Sequence, residues 1–199
     1  MAAERGRWGR RPSIPGGDMT VVIDARRGTD ASHARGVLFV HSCPSAVAPH
    51  LEWALARVFA TTVDVDWAPQ PVAPGSQRAE IVWHGPHGTA ARIASALVAF
   101  STIRFEVTEE PTEGREGERY AVTPSLGLFR GTIGQHGDVL VHEERLRSVI
   151  TGARAGGPES LPEVLEEIDR LIGHPWDEEL EPFRMAHEGS TVRVLHEVV

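Results

Sequence analysis

Apolar and polar residues alternate along the first half of the chain in two distinct periods, and the periods set out the elements. The run 37–41 is apolar almost throughout, as in a central strand covered on both faces. Between Pro44 and position 60, Val47, Leu51, Ala54, Leu55, Val58 and Phe59 recur at helical spacing, so a helix is predicted over 46–60 with that stripe inward and His50, Trp53 and Arg57 on another face. Strict alternation over 62–67 predicts a strand with Val63, Val65 and Trp67 on one side and Asp64 and Asp66 on the other. Three prolines and a glycine in 68–75 turn the chain back. Alternation resumes over 78–84, with Ala79, Ile81 and Trp83 inward and Arg78, Glu80 and His84 outward. A second helix is predicted over 88–100 on the stripe Ala90, Ile93, Ala96, Leu97 and Phe100, followed by a strand with Ile103, Phe105 and Val107 inward and Arg104, Glu106 and Thr108 outward.

The order is strand, helix, strand, strand, helix, strand. It predicts an α+β fold: a ferredoxin-like βαββαβ sandwich with a C-terminal hairpin and helical extension. The hairpin is read in 118–123 and 126–133, joined through Pro124 and Ser125, with a further short strand at 138–141. A helix carrying Leu146, Val149 and Ile150 leads through the glycine-rich stretch 152–158 into a strongly amphipathic helix. That helix opens on the capping pair Ser160 and Glu163, shows the stripe Leu161, Val164, Leu165, Ile168, Leu171 and Ile172, and ends at Gly173. The segment 175–183 is aromatic at both ends and acidic between, and 191–199 is apolar enough for a strand or a packed terminus. Three units are expected: a flexible arm over 1–35, with Met19 as an alternative start, a core over 36–110, and an extension over 111–199 packed on it.

Charge narrows the partners. The first 35 residues hold seven arginines and four acids, a net of +3, whereas the other 164 hold 13 arginines and 24 acids, a net of −11. So acidic a body repels a polyphosphate backbone, which argues against nucleic acid as the partner. The apolar run 19–23 is too short for an export signal or a membrane span, so a cytoplasmic location is expected. All 20 basic residues are arginine, a usage typical of GC-rich bacterial genomes. The single cysteine, Cys43, forms no disulfide within the chain.

Candidate chemistry is sparse. The outward face of the expected sheet carries Glu80, Arg104 and Glu106, a possible binding surface unless the later elements cover it. Residues 85–89 precede a helix whose free N–H groups suit an anion, with His87 and Thr89 as donors; ordinary turn and capping chemistry explains the same residues. The rival expectation is a small-molecule or anion site, binding or enzymatic, at the loops after the first and third strands, which would use His41, Ser42, His84, His87, Thr89 and Arg92. Cys43 lies just before a helix, where a thiol can be activated, but no base or oxyanion site is recognisable beside it. Ten histidines match no zinc signature, so no metal, cofactor or catalytic residue is assigned. Trp53, Trp176 and Phe183 are the candidates for protein contacts.

Several stretches carry a resemblance. Gly36-Val37-Leu38-Phe39-Val40-His41-Ser42, Pro49-His50-Leu51-Glu52-Trp53-Ala54, Asp66-Trp67-Ala68-Pro69-Gln70, Gly88-Thr89-Ala90-Ala91-Arg92, Arg104-Phe105-Glu106-Val107-Thr108, Gly117-Glu118-Arg119-Tyr120 and Pro175-Trp176-Asp177-Glu178-Glu179-Leu180 resemble an actinobacterial family known only as a numbered domain of unknown function. The likeness runs over 36–199. Members begin near position 33, which implies a dispensable arm, and some lie near genes of fatty-acid synthesis. The resemblance implies no catalytic residues. Taken together, the expectation is a cytoplasmic, non-catalytic binding or regulatory protein, accessory to fatty-acid metabolism, using the open sheet face and 176–183 toward a protein partner or a second copy. The rival is the small-molecule site above.

Overall fold

Alternation in the long strands produces one sheet with two unlike faces. The computed structural model describes residues 20–24, 33–156 and 161–186. Strands β1 (Thr20–Asp24), β2 (His33–Pro44), β3 (Ala68–Pro69), β4 (Ser76–Pro86), β5 (Arg104–Glu109), β6 (Gly117–Thr123), β7 (Gly127–Ile133) and β8 (Val139–Leu140) form it in the order β1-β4-β2-β5-β6-β7-β8, with β3 paired to β4 off this path. Among the described strands only the β1–β4 pair is parallel.

Helices α1 (Ala48–Phe59) and α2 (Thr89–Leu97) cover the inner face. Leu38, Val40, Ile81, Trp83, Phe105 and Val107 from the strands are buried against Leu51, Leu55 and Phe59 of α1 and Ala90, Ile93 and Leu97 of α2. This core uses the inward stripes expected from the sequence. Where Gly36 pairs with Trp83, a Cβ on Gly36 would stand 1.8 Å from the Thr108 carbonyl oxygen and 2.5 Å from the indole, so only glycine allows the strands this approach.

The ferredoxin-like sandwich is not what the chain forms. Its second strand is missing: 62–67 pairs with no strand, because Glu52 of α1 takes the Trp67 indole N–H at 2.8 Å and the Val65 N–H at 3.4 Å. Val65 is still buried and Trp67 half-buried, so the alternation reports burial without pairing. What pairs beside β4 is the two-residue β3, whose growth Pro69 and Pro71 limit by lacking N–H donors. β1 also lies along β4, in the segment expected to be a flexible arm. On the other side β6, β7 and β8 continue the same sheet from β5, giving eight strands where four were expected. The α+β class stands.

Three helices follow: α3 (Glu143–Gly156), α4 (Leu161–Ile172) and α5 (His174–Arg184). The acidic stretch that gave no helical expectation is α5. Gly173 separates it from α4 at φ +88°, and a Cβ there would meet the Phe129 ring at 2.8 Å. Trp176 and Leu180, four apart on α5, pack with Ala121 and Phe129 on the outer face of β6 and β7. The Ser160 cap and the expected strand at 191–199 lie outside the described residues.

Candidate functional site

The docking of α5 places a chain of charged groups between the helix and the sheet. Glu106, on the outer face of β5, is 7% exposed. His41 donates through Nε2 to its Oε2 at 2.6 Å. Arg119 of β6 donates to Oε1 at 2.6 Å, and Arg184 of α5 donates to Oε1 at 2.6 Å and to Oε2 at 2.9 Å. Asp177 closes the ring from the helix side, accepting from Arg119 at 2.5 Å and Arg184 at 2.7 Å through Oδ1. Two carboxylates thus share two guanidiniums, which hold several N–H donors in a fixed plane and suit such bridging better than lysine. Beside this ring, Arg104 donates to Glu179 at 3.2 Å and lies 4.7 Å over the Phe183 ring.

Burial pushes the Glu106 carboxyl up, but the hydrogen bonds and positive charge of His41 and Arg184 outweigh it and hold the group well below the usual carboxylate range. Asp177 is lowered in the same way, burial being opposed by hydrogen bonds from Arg119 and Arg184. A depressed native pKa stabilises the fold fully above the free carboxyl value and loses that contribution as pH falls toward the native value. The unfolding midpoint in denaturant should therefore hold from neutral pH to about 4.3, the free glutamate value, and fall steadily below it. In a Glu106→Gln chain the fall should be shallower, as parallel urea titrations at each pH would show.

A second buried carboxylate fills the site expected for a foreign anion. Glu109, 3% exposed, accepts the Gly88 N–H at 3.0 Å through each oxygen and the Ala90 N–H at 3.3 Å, at the N-terminus of α2. His87 Nδ1 lies 3.2 Å from it. The donors that would hold a phosphate are engaged by the chain's own carboxylate.

The hairpin of α3 and α4 is built differently. Val149, Ala153, Val164, Ile168 and Leu171 are half-buried, and neither helix has a fully buried residue among those described. Leu146, Ile150, Leu161, Leu165 and Ile172 stand 38–62% exposed.

A family model described as a protein of unknown function, DUF3145, matches residues 37–197. The chain belongs to the DUF3145 family. No curated protein matches it, and no solved structure does. The DUF3145 match takes in β2 from residue 37 onward and every element from α1 to α5, including the residues of the Glu106 ring and the hairpin.

In this DUF3145 chain the six residues proposed for one ligand site are not brought together. His84 pairs with Arg35, six residues before His41 along β2, so the two histidines stand roughly 20 Å apart at opposite ends of the sheet. His84 lines an open groove with His33, Arg35 and Glu110. Ser42 is buried opposite Arg104. The Thr89 hydroxyl donates to the Pro86 carbonyl at 2.7 Å, and Arg92 donates to the Val58 carbonyl of α1 at 2.6 Å.

Of the outer-face residues, Glu106 and Arg104 face α5, and Glu80 is half-buried on β4 opposite Phe39. Trp53 remains 66% exposed, edge-on to His50. Trp176 donates to the Gly127 carbonyl at 3.0 Å and packs against Phe129, so it and Phe183 dock their own helix. Arg119, Asp177 and Arg184 are the residues that sequence reading missed. The spacing of seven between Asp177 and Arg184 would have placed both on one face once 174–184 was read as a helix.

Cys43 is fully buried, and burial pushes its thiol up to about 11. Alkylation of the native chain by iodoacetamide at neutral pH should be at least tenfold slower than in denaturant, because the thiolate is the reacting form; equal rates would show an accessible, activated cysteine. Among the described residues no group of three His, Cys, Asp or Glu is placed to hold a metal ion, and no helix is long and apolar enough to cross a membrane.

Proposed function

We propose that this chain is a cytoplasmic, non-catalytic binding or regulatory protein that engages a protein partner through the exposed apolar face of the α3–α4 hairpin. One observation carries the reading: five large apolar side chains of two consecutive helices are exposed, while neither helix has a fully buried residue among those described. A hairpin that leaves its apolar stripe in water lacks the packing that normally stabilises helices of this length. Contiguous exposed apolar surface of this kind marks an interaction site. The ring of Glu106, Asp177, Arg119 and Arg184 fastens α5, and α5 in turn carries the hairpin at Gly173. A setting in fatty-acid metabolism is supported only by the gene neighbourhood of the proteins this chain resembles.

Gentle purification of the tagged full-length chain from a native lysate tests the reading. A stoichiometric partner, either another protein or a second copy, should accompany the wild type and be lost with Ile150→Glu and Leu165→Glu combined. A lone monomer, or a partner retained by the double variant, would sink it.

A further inference from the structure

We infer that the occupant of the hairpin face is the same hairpin of a second copy, so that two chains join through a four-helix bundle. The inference rests on the hairpin being the interaction surface, and three features of that surface point to self-association.

The first is the width of the stripe. On α4 the apolar positions 161, 164, 165, 168, 171 and 172 recur at spacings of three and four, covering more of the helix than a single seam requires. Val164, Ile168 and Leu171, half-buried, take one flank, and Leu161, Leu165 and Ile172 are left on the other. On α3, Val149 and Ala153 are half-buried, and Leu146 and Ile150 are left exposed. Each helix therefore offers a used seam and an unused one, as each helix of a four-helix bundle does toward its two neighbours.

The second is how the unused apolar residues are shared. Both helices contribute them, two from α3 and three from α4. A two-fold axis lying between the two faces and parallel to the helices would set α3 against the partner's α4 and α4 against the partner's α3, so that each unused seam meets one of the other helix.

The third is charge. α3 holds Arg145, Arg147 and Arg154 against Glu143 and Glu144, a net of +1, whereas α4 holds Glu163, Glu166, Glu167 and Asp169 against Arg170, a net of −3. Pairing α4 with α4 would bring like charges together. Pairing α3 with α4 across the axis brings opposite ones together and selects the axis parallel to the helices over one perpendicular to them.

Sedimentation equilibrium of the purified full-length chain over the micromolar range reads the result. The wild type should approach twice the 21.7 kDa mass of one chain. Leu165→Glu should yield the monomer with an unchanged far-ultraviolet spectrum. Reversing α3 by Arg145→Glu with Arg147→Glu should weaken association at least tenfold, because both contacting helices are then acidic. Adding Glu166→Arg with Glu167→Arg exchanges the two net charges and should restore it. A wild-type monomer at every concentration overturns the inference. If the native-lysate experiment then yields a different protein that Leu165→Glu loses, the hairpin remains an interface and only its occupant is wrong. A wild-type dimer that Leu165→Glu leaves intact overturns the inference by placing the contact elsewhere.

Discussion

Replacing Glu106 by alanine lowers the unfolding free energy by about 3–5 kcal/mol, the range for removing one member of a buried ionic group. The carboxylate receives His41, Arg119 and Arg184; without it Arg119 and Arg184 keep Asp177, and Arg184 also Glu181 at 3.5 Å, while His41 loses its carboxylate partner. Domains of this size are stable by only about 5–15 kcal/mol, so much of the margin disappears. The loss should concentrate at α5, which Arg184 ties directly to this residue and Asp177 ties to it through Arg119. Urea unfolding gives the total, and hydrogen exchange locates it: amides of α5 should lose protection before those of β2, β4 and β5. A loss below about 1 kcal/mol, the scale of a solvent-exposed pair, would mean that the ring is not buried as described.

Gly36→Ala should be at least as damaging. The added methyl carbon would stand 1.8 Å from the Thr108 carbonyl oxygen and 2.5 Å from the Trp83 ring, and the first obstacle is backbone. β2 would have to separate from β5 where Gly36 pairs with Glu109, close to the carboxylate that caps α2. A cost of about 4 kcal/mol or more, or failure to accumulate folded protein, is the expected outcome. Gly152→Ala is the matched control: it lies within α3, nothing stands within 4 Å of its added carbon, and a helical glycine replaced by alanine gains up to about 1 kcal/mol. Thermal unfolding of the pair should move in opposite directions, and a Gly36→Ala chain as stable as the wild type would contradict the β2–β5 register.

The sequence carried the inner half of this fold openly because period and burial coincide there. The stripes of α1 and α2, the apolar run of β2 and the alternation of β4 and β5 each point to one core, and that core forms. The segment 62–67 shows why alternation alone is insufficient: it fixes which side chains are buried, while Glu52 takes the Val65 backbone N–H that a strand partner would otherwise accept, and holds the Trp67 indole N–H beside it. Joining β6 to β5 is a long-range choice that local pattern does not encode, and it turned an expected appendage into part of the sheet.

The Glu106 ring was legible only in part for the same reason. Glu106 and Arg104 were placed on the outer face, but the partners of Glu106 lie 65 residues back in His41, 13 ahead in Arg119 and 78 ahead in Arg184. Asp177 and Arg184 sat in a stretch whose acids and prolines hid its helix. By contrast, the amphipathic stripe of α4 was plain in the sequence; its exposure was not, since periodicity states which face is apolar and leaves its cover unspecified.

The central claim is that the apolar face of the α3–α4 hairpin is an interface. Its most direct test is photo-crosslinking in living cells with benzoylphenylalanine replacing Leu165, beside a control replacing Val98, an exposed residue just after α2. Irradiation should join position 165 to a second protein chain, with the same hairpin as its partner, and should leave position 98 unlinked. Crosslinks from position 165 only to its own chain, or equal yields at the two positions, would contradict the claim.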